Sequence, residues 1–357
     1  MAQYGCERVI LCHDRRTGLR GAIAVHSTLL GPAVGGLRMW TYPEPDDAIL
    51  DAMRLARAMT YKYAAAGVDL GGGKAVIAGD PARDKSPALL RAMGRFIDQL
   101  RGDYLVGQDV GTTLADMEVL FDETPYVMTL PEHSGGAGEI APATARGAVQ
   151  AIRACVERVF GSADLAGRSV ALQGLGNVGG IALRLLREAG ASVVVTDVDA
   201  AKVEAAVAGF GVTAVAPDEI YDREVDVFAP FALGGVIGDD TVTRLKAPIV
   251  CGAANNQLRG DRVLETLDAR GITWGVDYIA NAGGAIWDAD RLRTGGFRAE
   301  RAGAAVDRIA DRMREVFAIA DAEGISVLAA GDQLAQRRLT EAGHRRLLGR
   351  GPSRLGL

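Results

Sequence analysis

The stretch VALQGLGNVGG, residues 170–180, constrains this chain more than any other. An apolar run leads into Gly174, Gly176 and Gly179 at G-x-G-x-x-G spacing, and a helical pattern comes directly after. Strand, glycine turn and helix in that order make the first half of a βαβ unit. The first glycine permits the tight turn and the second lets the backbone approach a pyrophosphate. The third brings helix and strand close while the helix N-terminus faces the phosphates. Gly174, Gly176, Asn177, Val178 and Gly179 are therefore candidate dinucleotide-binding residues. The next apolar run, SVVVTDVD, ends at Asp197, eighteen residues beyond the third glycine. A carboxylate there suits the ribose hydroxyls of NAD and repels the extra phosphate of NADP, and no arginine immediately follows it to neutralise it. Asp199 is the better candidate for capping the next turn.

Apolar strands alternate with helical stretches through much of the chain beyond Asp197, which predicts a Rossmann domain over 135–324. With 357 residues there is room for a second core. An α/β domain is expected over 1–134, completed by a C-terminal helix at about 325–357. RVILCHD and GAIAVHST flank RRTG as a hairpin with Gly18 at its turn. DDAILDAMRLARAMTYK places Ile49, Ala52, Met53, Ala56 and Met59 on one helical stripe, with Lys62 at the exit. Ser86 and Pro87 open a second helix. Lys74 begins the strand KAVIAG, and Asp109 ends DYLVGQD. GVDLGGGKAVI is not a phosphate loop, because Val68 and Ala75 stand where a P-loop needs Gly and Ser or Thr. Lys62, Lys74 and Asp109 instead fall at element ends, where site residues converge. The small, flexible PEHSGGAGEIAPAT marks a hinge before a helix starting near Thr144.

Several function classes are excluded. A formal charge of −5 without any basic block leaves no footprint for nucleic acid. No segment reaches the ~18 apolar residues of a membrane span, and a cytoplasmic protein is expected. Cys6, Cys12, Cys155 and Cys251 are scattered, and the four histidines form no ligand spacing, so no metal is expected.

GPAVGGLRMW, RAMTYKYAAAG, LGGGKAVI, DVGTTLADM, GLGNVG, CGAANNQL and DYIANAGGAI together resemble, in order and spacing, the NAD-dependent L-amino-acid dehydrogenases acting on leucine, valine and phenylalanine, relatives of glutamate dehydrogenase. The resemblance implies two α/β domains separated by a cleft: an N-terminal substrate and oligomerisation domain, and a Rossmann domain. It implies reversible oxidative deamination of an L-amino acid to a 2-oxo acid and ammonia, in a homo-oligomer. By motif, Lys74 would be the catalytic lysine and Asp109 its proton-transfer partner, while Lys62 would hold the substrate carboxylate. Gly35, Gly36 and Leu37 would border the substrate, Asn255 and Asn281 would lie along nicotinamide and substrate, and Thr144 would contact cofactor.

The chemistry suits those residue types. A lysine acts as base only if burial or a neighbouring cation lowers its pKa, and an adjacent Asp109 would push it back up. Leu37 replaces a frequent Thr and Phe231 a frequent Cys, departures that bear on the substrate rather than the reaction. With no ionic partner evident for a substrate side chain, aliphatic leucine, valine or isoleucine is favoured, with phenylalanine or tryptophan as the alternative. A 2-hydroxy-acid dehydrogenase would need a histidine acid, and a non-catalytic NAD-binding regulator would have lost Lys62, Lys74 or Asp109.

Overall fold

A strand covered on both faces calls for apolar or small residues, and GGGKAVIA at the middle of the first sheet supplies them at every position but Lys74, with all but its last residue buried. The computed structural model describes residues 4–347, which fall into two compact units. The first unit contains β1 (Arg8–Asp14), β2 (Leu19–Ser27), β3 (Ala33–Trp40), β4 (Gly71–Ala78) and β5 (Tyr104–Gln108). They are ordered β1-β2-β4-β3-β5. The β1–β2 hairpin turns through Gly18 at φ 76°. β2 runs antiparallel to β4, and β4, β3 and β5 run parallel.

The period of two along each strand separates two apolar layers. Ala22, Ala24 and Val76 face α1 (Pro45–Ala65), which lays Ala48, Ala52, Met53 and Ala56 against them. Ile23, Val25, Leu37, Met39, Ala75 and Ile77 face the other way. There they meet Leu90, Met93 and Ile97 of α2 (Pro87–Asp98) and Met117 and Leu120 of α3 (Leu114–Phe121). Small residues under α1 let that helix ride close to the sheet: a Cβ at Gly72 would collide with the Thr60 backbone. α2 starts as its sequence predicts, with the Ser86 hydroxyl accepting from Leu89 N at 3.2 Å and Pro87 in the first turn.

The second unit carries six parallel strands: β6 (Ser169–Gln173), β7 (Ser192–Thr196), β8 (Thr213–Ala214), β9 (Val227–Pro230), β10 (Ile249–Val250) and β11 (Thr273–Trp274). Their order, β11-β10-β9-β6-β7-β8, is that of a doubly wound sheet whose direction reverses at β6. α4 (Ala141–Phe160) starts three residues before Thr144, with a proline in its first turn. α5 (Asn177–Glu188) leaves β6 through the glycine turn, and α6 (Ala200–Phe210) is capped by Asp199, which accepts from Ala201 N at 3.1 Å.

The limits of the units differ from those read off the sequence. The first comprises residues up to Glu139, then Asp288–Arg298, then Leu334 onward; the second comprises Ile140–Trp287 and Ala299–Gln333. Asp288–Arg298 joins the first unit because Asp288 accepts from Thr129 N at 2.9 Å and Arg291 donates to the Val127 carbonyl at 2.7 Å. The last helix, Val327–Leu347, does not belong wholly to the first unit as the sequence predicts, because its start is held in the second by a 3.0 Å bond from Tyr278 Oη to Asp332. The expected extension of that helix to 357 lies outside the described residues. No described helix is long and apolar enough to cross a membrane.

Candidate active site

β4 sits between β2 and β3, and this insertion assembles the first group of candidate residues. Lys74 and Val76 on β4 share the α1 face with Gly36 and Arg38 on β3, while β5 delivers Asp109 one residue past its end. Asp109 Oδ2 accepts from Lys74 Nζ in an ion pair whose side chains are only 7% and 19% exposed. The carboxylate is fixed by its own turn: Val110 N donates to Oδ1 at 2.7 Å, and Asp109 N donates to Thr112 Oγ1 at 3.0 Å. Gly111 completes the turn at φ 82°. Gly36 is required here, since a Cβ would lie 2.6 Å from Asp109 Cβ. A Cβ on Gly35 would strike the Gly73 carbonyl, and the Gly35 carbonyl accepts from Tyr104 Oη at 2.7 Å. Lys62 lies half-buried in the last turn of α1.

Burial pushes the Lys74 pKa below the usual lysine range, although Asp109 pulls it back upward. Burial alone would raise the Asp109 pKa, but Lys74 and Arg38 together hold it below the usual carboxylate range.

Leu37 is a correction. It comes after Gly36 on β3, so strand alternation turns its side chain away from Lys74 and into the α2–α3 layer, where it is fully buried. Arg38 is the converse, a residue the sequence reading passes over. Its Nη1 lies 3.0 Å from Asp51 Oδ2 and its Nη2 3.6 Å from Asp109 Oδ2. The GPAVGGLRMW motif contains Arg38 without giving it a role; the strand period, which sets it one step beyond Leu37, points it to the Lys74 face.

The second unit presents main chain rather than side-chain charge. Gly174 adopts φ 102°, which an L side chain rarely does, and a Cβ on Gly179 would strike the Gly174 carbonyl. Around Gly176, by contrast, a Cβ would meet nothing within 4 Å. That glycine leaves exposed space at the N-terminus of α5, where Asn177 and Val178 offer the first helical N–H groups. Phe231 packs beneath, its Cβ 3.2 Å from the place a Gly179 Cβ would take.

Asp197 stands one residue past β7, Oδ2 accepting from Leu175 N at 2.5 Å and Oδ1 from Asp199 N at 2.9 Å. Burial favours its neutral form, but these backbone donors prevail and hold the pKa low. A carboxylate so fixed beside the glycine turn retains lone pairs for ribose hydroxyls, so the donor set fits a dinucleotide. Asn255 and Asn281, 26 residues apart, are joined by a 2.8 Å bond from Asn281 Nδ2 to Asn255 Oδ1. Thr144 turns its hydroxyl back to the Ile140 carbonyl at 3.0 Å.

The comparisons with known proteins cover most of the chain. Residues 6–126 match the Glu/Leu/Phe/Val dehydrogenase dimerisation domain, and residues 135–206 match the Glutamate/Leucine/Phenylalanine/Valine dehydrogenase model. A leucine dehydrogenase from Geobacillus stearothermophilus is 47% identical, over 95% of this chain and 92% of its own. A valine dehydrogenase from Streptomyces virginiae is 45% identical over 95% of each. The solved L-tryptophan dehydrogenase from Nostoc punctiforme superposes with TM-score 0.86 at 40% identity, covering 96% of this chain and 98% of that one. By identity, coverage and fold, the chain belongs to the Glu/Leu/Phe/Val dehydrogenase family.

Proposed function

We propose that the protein catalyses the reversible oxidative deamination of an apolar L-amino acid, with leucine, valine and isoleucine favoured. Amino acid, NAD and water give the 2-oxo acid, ammonia, NADH and a proton. The observation that carries this reading is the buried Lys74–Asp109 pair beside the glycines of β3 and β4. A lysine depressed by burial can be neutral, and a neutral amine can take a proton from water.

In this reading Lys62 holds the substrate carboxylate, and Gly35 and Gly36 form part of the backbone wall around the amino acid. NAD, when bound, supplies the acceptor for the hydride leaving Cα. Lys74 then takes the proton of the water that attacks the resulting iminium carbon. Asp109 exchanges protons with Lys74 and with the departing amine. Gly174, Gly176, Asn177, Val178 and Gly179 would hold the pyrophosphate, Asp197 the adenine ribose, and Thr144 and Asn255 the nicotinamide end, while Asn255 and Asn281 would contact the substrate. Asp197 supports NAD over NADP by charge.

Homo-oligomerisation is supported by the dimerisation-domain match and by β1, an edge strand carrying Leu11 at 65% exposure. A cytoplasmic setting suits the four free cysteines. An aromatic substrate is the second reading, supported by the likeness to the L-tryptophan dehydrogenase.

The test is initial-rate NADH formation with leucine, valine, isoleucine, phenylalanine, tryptophan and glutamate, with lactate as control. An aliphatic amino acid should turn over fastest, with ammonia required in the reverse direction. Turnover of lactate alone would end the amino-acid reading.

A further inference from the structure

Asp109 Oδ2 is shared by two cations. Lys74 approaches from β4 and Arg38 from β3, at 3.6 Å. Arg38 is held in place from its other side by Asp51 of α1, at 3.0 Å. Asp51 is in turn tied to Tyr42 Oη at 2.7 Å and Arg54 at 2.8 Å. Arg38 Nε is buried without a hydrogen-bond partner, so both of the side chain's interactions come from its terminal nitrogens, one for each carboxylate. The guanidinium thus bridges two acids on different elements.

A carboxylate beside a buried lysine stabilises the ammonium form and works against the release of the proton that burial favours. We propose that Arg38 is a positioning residue that spans Asp51 and Asp109, draws part of the Asp109 charge away from Lys74, and thereby lets the amine serve as a base. This rests on the reading of Lys74 as the base. The charged and titratable groups around the cluster include Arg38 on β3, Lys74 on β4, Tyr104 on β5, Asp109 after β5, Asp51 and Arg54 on α1, and Tyr42 before it. Arg38 opposes the Lys74 proton directly, whereas Asp109 and Asp51 favour it. Removing Arg38 therefore leaves two carboxylates less compensated and holds the Lys74 proton to higher pH. Removing Asp51 takes away one of those carboxylates and frees Arg38 for Asp109, so the proton leaves at lower pH.

The experiment reads Lys74 itself as well as turnover. Trace acetic anhydride acylates only the neutral amine, so the yield of acetylated Lys74 peptide against pH gives its midpoint in the full-length protein. The same variants are then tracked through the pH dependence of kcat/KM. Arg38→Gln should raise the midpoint by about 0.5–1 unit, and Asp51→Asn should lower it. Arg38→Lys, which keeps the charge, should return the midpoint close to that of the unsubstituted protein even where kcat stays reduced. Opposite shifts that appear in both labelling and rate support the proposal.

Midpoints that do not move in either Arg38→Gln or Asp51→Asn overturn it and leave Arg38 a packing residue. If Arg38→Gln fails to fold, Asp51→Asn decides by the same sign. Shifts in labelling without any shift in the rate profile would uphold the Arg38 bridge and remove Lys74 from the role of base, so the two claims fail separately.

Discussion

In the second unit the candidate cofactor site is mostly main chain: a left-handed Gly174, an uncovered Gly176, and helix N–H groups steadied by one carboxylate, Asp197. In the first unit the candidate site is made of side chains, drawn from two strands, the turn after a third and a helix, and held by one another's charge. The contrast reflects the two tasks. A phosphate is bound well by backbone dipoles at a helix end, which a short sequence can place. A proton must be moved by a group whose pKa is tuned, and tuning needs burial and neighbours from elsewhere in the chain.

Lys74→Ala should break the first site alone. Turnover is expected to fall by about 10²–10⁴-fold, while NAD affinity measured by fluorescence titration stays near that of the unsubstituted protein. Near-normal turnover would remove Lys74 from the mechanism. Gly176→Leu should break the second site alone. The side chain enters space where nothing lies within 4 Å, so the melting temperature should hold while NAD binding weakens by about tenfold or more. A variant that binds NAD normally would mean the pyrophosphate lies elsewhere.

Asp197→Ala sharpens the comparison, because it removes the one side-chain charge of the second site. The ratio of kcat/KM for NAD to that for NADP should shrink by roughly tenfold, the scale of a lost charge-assisted hydrogen bond. An unchanged ratio returns Asp197 to the role of a turn residue. Leu37→Ala should have the smallest effect on catalysis. Denaturant unfolding should show a loss of about 2–5 kcal/mol from the α2–α3 core, with the order of substrate preference intact. A reordered preference would restore Leu37 to the substrate's surroundings.

Much of the architecture is legible in the sequence. The hairpin at Gly18, the Ser86–Pro87 helix start, the glycine turn and the strand ending before Asp197 are local patterns, each decided within a dozen residues by backbone sterics and capping. The motifs also pick out Lys74 and Asp109, 35 positions apart, which the structure joins. The domain limits are less legible. Nothing local says that Asp288–Arg298 joins the first unit, because the bonds that decide it go to Val127 and Thr129. Leu37 and Arg38 show the same limit at finer scale. Adjacent in a run of motif residues, they part to opposite faces of one strand.

What the sequence by itself determined was therefore the inventory and the local geometry: which turns need glycine, which helices start where, and which residue types suit dinucleotide binding and proton transfer. What only the tertiary structure decided was which charges share a carboxylate. Arg38, Lys74 and Asp109 meet because β4 is inserted between β2 and β3, with β5 on the far side of β3. That pairing arises from the long-range packing of two apolar layers, and electrostatic coupling depends on distance in space rather than along the chain.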